Sequence, residues 1–409
     1  MKALRRLAGQ AVIPVLSVIT AFIFGGIVIA LTDFDQLSKI GTDPAGAIGG
    51  AIGGVFKAYG AMLTGAFGDP VRIQTALKTG QSKDIATAIR PITETLVASM
   101  PLIFCGLGVA VSFRAGMFNI GGDGQLRLGA LGATMAAIGL AGKVPPGIIL
   151  VLAVAAGTIT GGLWGLLPGF LKARTGAHEV ITTIMLNYVA ALVLFFAMED
   201  PGLRAAGSTV PVSKLLNPIV SVPKLLNLPG IRLDLGFVIA LVMALLCSWL
   251  LFRTTKGFEL RASGFNLTAA RYAGMSAGGS MMLAMTISGA LNGMAGAFIV
   301  LGTVGQLSLD VSGGIGFNAI ALALLAGLRP GGVVLAALLF GALTNGGKLM
   351  GVQSGIPVDL LFFIMALVIM FVAAPGLIRG MWRIKSKAAA VAETPATTPT
   401  TPAASSPTP

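Results

Sequence analysis

Histidine occurs once and cysteine twice in a chain of 409 residues, and charged residues make up only 11% of it. The lone His178 stands beside Glu179 in a basic loop, with no nearby nucleophile to activate, which suits a surface histidine and not a catalytic base. Cys105 and Cys247 fall in or beside apolar runs without metal-ligand or redox spacing, so they read as small core residues. The phosphate-cradling pattern Gly-x-x-x-x-Gly-Lys-Ser/Thr is missing, and with it any sign that the chain hydrolyses ATP by itself. The sequence therefore offers no catalytic residue, no metal site and no cofactor. Scarcity of charge has the widest consequence. Soluble domains carry about 25% charged residues, whereas this sequence is 55% hydrophobic with a mean hydropathy of +0.90. A water-surrounded fold is excluded.

What is there instead is a series of apolar runs. A helix needs roughly 20 apolar residues to cross a hydrocarbon core, and the chain offers about ten such windows, some short or interrupted. Their continuous apolar character does not suit the alternating strands of a barrel, so the spans are expected to be helices. The expected fold is all-α: a polytopic membrane protein of about ten transmembrane helices with broken or re-entrant segments. Its 57 glycines suit helices that approach closely. The net charge of +13 does not point to nucleic acid, because the basic residues are scattered over span ends and form no stripe or motif. They serve better as topology signals.

In order, Lys2, Arg5 and Arg6 precede the run 11–31, which no Ala-x-Ala site follows, so residues 1–31 read as a cytoplasmic end and an uncleaved first span. Residues 32–93 are polar or mixed and are expected to be extracytoplasmic or interfacial; 47–67, rich in Gly and Ala but holding Lys57, reads as interfacial or re-entrant, with a full span as the lesser alternative. A core over 94–378 follows, with runs at 95–113, 120–140, 148–167, 180–198, 233–252, 278–300, 316–327, 333–344 and 358–374. The linker 114–127 is too polar for lipid and too short for a domain, so it reads as a broken segment lining the interior, in which Asp123 and Arg127 can pair if helical. Gly157, Gly161 and Gly165 make a small face every four residues. The stretch 253–276 carries Arg253, Lys256, Glu259, Arg261 and Arg271 between two spans, so it faces water where a soluble partner can meet it. Placing both termini and this loop in the cytoplasm puts every dense basic cluster inside. The tail 388–409, all Ala, Thr, Pro and Ser apart from Val391 and Glu393, is expected to be disordered.

Asn119, Gln125, Asn187, Asn292, Gln306 and Asn318 lie in or beside the apolar runs. Amides both donate and accept without the full desolvation cost of a charge, so they can line a path for a neutral polar solute; hydrogen bonds between helices serve equally well for any one of them. Asp123, Asp310 and Asp359 could instead couple an ion gradient, or simply cap helices near span ends.

Several stretches resemble a known family: FRAGMFNIGGDGQLRLGA at 113–130, TTIMLNYVA at 182–190, TTKGFELRASGFNLTAARYAG at 254–274, ISGALNGMAG at 287–296 and GIGFNAIALALLAGLRPGGVVLAALLFGAL at 314–343. Together they cover most of 94–376 in order, and the chain is similar to ABC importer permease subunits for nucleosides and simple sugars, related to ribose and branched-chain amino-acid permeases. The run from Phe118 to Gly121 followed by Gly124 and Gln125 leans towards the nucleoside group; Gly122-Asp123, where relatives often have Val or Ala then Glu, is a mild departure. The resemblance implies a type II-like importer fold in a bacterial cytoplasmic (inner) membrane. It implies cytoplasmic ABC ATPase subunits, a second permease (related or identical) and an extracytoplasmic solute-binding lipoprotein or periplasmic protein as partners, with a nucleoside or sugar as substrate. It also implies that 254–274 docks on the ATPase, with Glu259, Arg261, Ala262, Gly264, Asn266, Ala269, Ala270 and Gly274 matching the pattern. The residues themselves add that Asn266 can cap a short helix holding Ala269 and Arg271, and that Glu259 and Arg261 offer charge-assisted bonds. A permease for a simple sugar such as ribose, or an ion-coupled secondary transporter, is the alternative.

Overall fold

Aspartates start the helices that precede the core. The computed structural model describes residues 2–216 and 220–383, so the tail 388–409 lies outside the described residues. After α1 (Lys2–Thr32), the carboxylates of Asp33, Asp43 and Asp69 accept from the first-turn amides of α2 (Phe34–Leu37), α3 (Pro44–Phe67) and α4 (Pro70–Thr79). The stretch 47–67 thus falls within one unbroken helix, which lays Ala58, Ala61, Met62 and Gly65 on its neighbours and leaves Lys57 exposed. Next comes α5 (Ser82–Arg114), buried along most of its second half. From a later helix, the Asn345 side chain donates to the backbone oxygens of Gly65 and Pro91, fastening α3 to α5.

The chain then leaves helix over 115–121 and enters α6 (Gly122–Leu140), α7 (Pro146–Thr175) and α8 (Glu179–Ala197). A long connection leads to α9 (Leu235–Arg253), the short helices α10 (Thr255–Phe265) and α11 (Leu267–Tyr272), and α12 (Ala277–Phe298), which ends in a π-helical turn, Ile299–Val304. Last come α13 (Ile315–Leu325), α14 (Pro330–Ser354), α15 (Val358–Ala373) and α16 (Pro375–Met381). Among the described residues there is no sheet, only isolated bridges such as Val212 to Ser308.

Glycines set the centre of the molecule. A β-carbon on Gly161 would lie 2.5 Å from both the Gly289 oxygen and the Gly293 α-carbon, and one on Gly129 only 2.2 Å from the Gly293 α-carbon. Helices α6, α7 and α12 therefore touch backbone to backbone, as the four-residue glycine spacing in α7 predicts. Around this trio, α5 packs on α12, α14 on α5 and α3, and α1 on α15.

The expected count of about ten spans is too high. Among the described residues, seven helices are long and apolar enough to cross a membrane, or eight if α15 and α16, bent by 89°, form one span. Two of the apolar runs fail for different reasons. Helix α13 has 11 residues, about 16 Å at 1.5 Å per residue, half of a hydrocarbon core. Helix α6 carries Asp123, Gln125 and Arg127 in its first turns, and most of its surface is covered by other helices, so lipid does not dictate its composition. Helix α3 is also absent from the seven.

The connection between α8 and α9 is seated on the end of α12. Backbone amides of Ser213, Leu216 and Val222 donate to the oxygens of Leu307, Gly305 and Leu301. The Arg232 guanidinium grips the Glu94 carboxylate with two nitrogens, joining the same connection to α5.

Candidate permeation core and coupling loop

Two broken helices meet in the core. The first turns of α6 and α13 face each other, because a β-carbon on Gly316 would lie 2.4 Å from the Asp123 amide nitrogen. Helix N-termini carry unpaired N–H groups and partial positive charge, so two of them in contact need an acceptor. Asp123, in the first turn of α6, supplies it: its carboxylate accepts from the Gly316 amide at 3.0 Å and is only 3% exposed. The side chain is thus used across the break, although Arg127 sits one helical turn away.

A ring of amides closes the other side of α6. Asn119 donates to Gln125 Oε1 (2.9 Å) and Ser288 Oγ (2.8 Å), and Asn292 donates to the same Gln125 oxygen at 2.7 Å. Asn187 works on the backbone: it accepts from the Gly124 amide at 2.8 Å and donates to the Ile120 oxygen at 2.9 Å. Thr183 accepts from the Ile120 amide. These partners satisfy the backbone of Ile120, while the amides of Ala115, Gly116 and Met117 turn back to the last carbonyls of α5; left unpaired, such groups would be costly to bury. Of the six amides singled out in the sequence, four converge here: Asn119, Gln125, Asn187 and Asn292. Gln306 and Asn318 do not join them; each is half-buried, in the segment before α13 and in its first turns. The pattern of polar residues within apolar runs found the amides. It did not single out Thr183, whose hydroxyl resembles any helix threonine until the fold brings Ile120 to it.

The loop between α9 and α12 forms two short capped helices. Thr254 accepts from the Gly257 amide to start α10, and Asn266 accepts from the Ala269 amide at 3.0 Å to start α11, as expected for that asparagine. Several of the loop's charges also find partners within the chain, while Arg253 and Arg271 are exposed. Glu259 bonds Lys256 at 2.9 Å, and the Arg261 guanidinium lies over the Phe252 ring at 5.3 Å while its Nε donates to the Gly257 oxygen. Ala270 is buried, Ala262 and Gly264 are half-buried, and Asn266, Ala269 and Gly274 are exposed. Two aromatic side chains that no motif reading singled out project outward instead, Phe265 at 95% and Tyr272 at 89% exposure. The loop also walls an open concavity of about 830 Å³, lined by Phe252, Arg253, Lys256, Glu259, Arg261 and Met275. His178 is exposed before α8, while Glu179 is buried and paired with Lys172 at 2.8 Å.

A membrane bundle with a polar break at its centre, and an exposed loop of two capped helices between two spans, suits a permease. The model of the family described as branched-chain amino acid transport system / permease component matches residues 92–373, from α5 through α15. The guanosine ABC transporter permease protein NupP of Bacillus subtilis is 40% identical over 307 residues, covering 73% of this chain and 85% of that one. The nucleoside ABC transporter permease protein NupB of Lactococcus lactis is 34% identical (71% and 81% covered), and the glucose ABC transporter permease protein TsgB13 of Haloferax volcanii is 33% identical (68% and 75%). No solved structure matches the chain. The chain therefore belongs to the branched-chain amino acid transport system permease family and is a transmembrane permease component of an ABC-type importer.

Proposed function

We infer that this permease moves neutral nucleosides inward across a bacterial cytoplasmic membrane, with both termini and the 254–274 loop on the cytoplasmic side. Family membership implies an ATPase subunit and a solute-binding protein; the full assembly we infer has two ATPases, a second permease, related or identical, and a binding protein on the opposite face. In this reading 94–378 is the permease core, and 32–93 lies towards the extracytoplasmic face. The nucleoside assignment is supported by two relatives named for guanosine and nucleoside transport, and by a core break lined with uncharged amides. In the conformation described here the amides bond one another. Opening the break would free Asn119, Gln125 and Asn292 to exchange those bonds for a solute in passing, with Asn187, Gln306 and Asn318 flanking the same path.

The observation that carries the coupling role is the outward projection of Phe265 and Tyr272 from two capped helices, in which Glu259 pairs with Lys256 and Arg261 stacks on Phe252. Rigid aromatic anchors on a fixed element supply most of the energy in protein interfaces. Glu259 and Arg261 then act by holding the loop in shape, and Ala262, Gly264 and Ala270 by letting it pack against its own spans. Replacing Phe265 and Tyr272 with alanine together should detach the ATPases during purification while leaving membrane insertion intact. Retention of the ATPases at the level of the parent protein would refute the docking role.

A further inference from the structure

The geometry points to residues 115–121 as the strap that carries ATPase movement from the docking loop to the amides at the core, an inference that rests on the docking role of α10 and α11 given above. At its near end the strap touches the loop backbone to backbone. A β-carbon on Gly264 of α10 would lie 2.2 Å from the Arg114 oxygen and 2.7 Å from the Gly116 nitrogen, so nothing but glycine fits and no side chain cushions the contact. Gly116 has φ +73°, the left-handed region, and a β-carbon there would stand 3.0 Å from the Gly264 α-carbon. Leu260 of the same helix, fully buried, packs against Ala115.

The same end gathers the ends of other spans. Arg114 donates through Nε to the Leu328 oxygen after α13 at 2.7 Å, and its guanidinium lies 5.0 Å from the centre of the Phe252 ring at the end of α9. At its far end the strap enters the amide ring, only three residues beyond Gly116: Asn119 bonds Gln125 and Ser288, and Ile120 bonds Thr183 and Asn187. Between the two ends, Met117 is fully buried against Met281 and Met285 of α12. Close-packed interiors shift between discrete arrangements and do not deform smoothly. A displacement of α10 therefore has a short, stiff route to the bonds that hold the core break shut. The carrier is a non-helical segment whose first three amides turn back onto the last carbonyls of α5 and whose Ile120 is held by side chains of α8, so its inner end can exchange partners without breaking a helix.

The test uses the assembled importer, permeases with their ATPases, and needs no transported solute. Hydrogen exchange of the peptide spanning 113–122 is followed by mass spectrometry with and without ATP and vanadate. In the parent complex, nucleotide trapping should change exchange in this peptide at least fivefold. Gly116→Ala, and independently Arg114→Gln, should reduce that change to under twofold while the ATPases still co-purify, since neither residue belongs to the exposed docking face. Unchanged exchange in the parent complex overturns the proposal, and so does a full nucleotide response in either variant. Loss of the ATPases from both variants also overturns it, because it would place these residues in the dock itself. Failure of docking as such reads out separately, as retention of ATPases by the Phe265→Ala, Tyr272→Ala protein.

Discussion

Gln125 Oε1 accepts from two buried amides at once, Asn119 and Asn292, so a single side chain holds α6, α12 and the non-helical 115–121 segment together. Gln125→Leu would leave two buried donors unpaired at about 1–3 kcal/mol each. Thermal unfolding in detergent should show a midpoint several degrees lower, whereas Asn318→Ala, outside the ring, should leave it in place. Equal midpoints for the two variants would refute the structural weight given to the ring. Asp234, just before α9, behaves differently because it lies outside the spans. Burial pushes its carboxyl up to about 6, partly opposed by the Gly236 amide it accepts from. The sign follows from that rise: well below pH 4 the carboxyl is neutral folded or unfolded and costs nothing. Between about pH 4 and pH 6 the unfolded chain ionises first, so the stability of the 220–236 connection falls as pH rises and stays low above pH 6. Hydrogen exchange there should be slower at pH 5 than at pH 7 after correction for intrinsic rates, and Asp234→Asn should remove the difference.

At the scale of elements, glycines divide into those a neighbour requires and those it ignores. On α6, Gly129 faces the Gly293 backbone, whereas a β-carbon on Gly139 would meet nothing within 4 Å. Gly129→Ala must push α6 away from α12, and overpacking of this kind costs about 1–3 kcal/mol. Gly139→Ala should be tolerated; comparing detergent-solubilised yield and unfolding midpoint of the two variants checks the assignment, and equal behaviour would count against it. The glycine face of α7 was legible in the sequence because its period is that of a helix. The break before α6 was legible because Gly121, Gly122 and Gly124 stand among polar residues. The coupling loop was legible only in outline. Its charges marked it as wet, but charge in a sequence does not say which way a side chain points, and Glu259 found Lys256 one turn away while Arg261 found Phe252. The exposed Phe265 and Tyr272 looked like two more apolar residues in an apolar chain. The span count failed similarly, since hydropathy cannot separate a half-length helix buried in protein, such as α13, from a full crossing.

For the whole molecule, the source of energy can be argued from the core. A gradient-driven carrier needs a carboxylate in the core that is free to take up and release an ion. Asp123 is at the right place, yet its carboxylate is bound to the Gly316 amide and neutralises two helix ends at once; Asp310 is exposed in the segment before α13. Neither residue fits an ion-coupling carboxylate, in line with membership of an ABC-type importer. In proteoliposomes holding the permease pair, ATPases and binding protein, uptake of labelled guanosine should require ATP and survive a protonophore and collapse of the sodium gradient. Excess unlabelled nucleosides should compete, while glucose and ribose should not. Uptake by the permease alone under an imposed ion gradient would reverse the assignment of mechanism. Competition by glucose or ribose equal to that of nucleosides would move the substrate to the sugars, in line with the Haloferax volcanii relative. Asp123→Asn sharpens the distinction, because asparagine still offers an oxygen to the Gly316 amide but no charge to the facing helix ends. It should lower the stability of the assembled core without transferring the energy requirement from ATP to an ion.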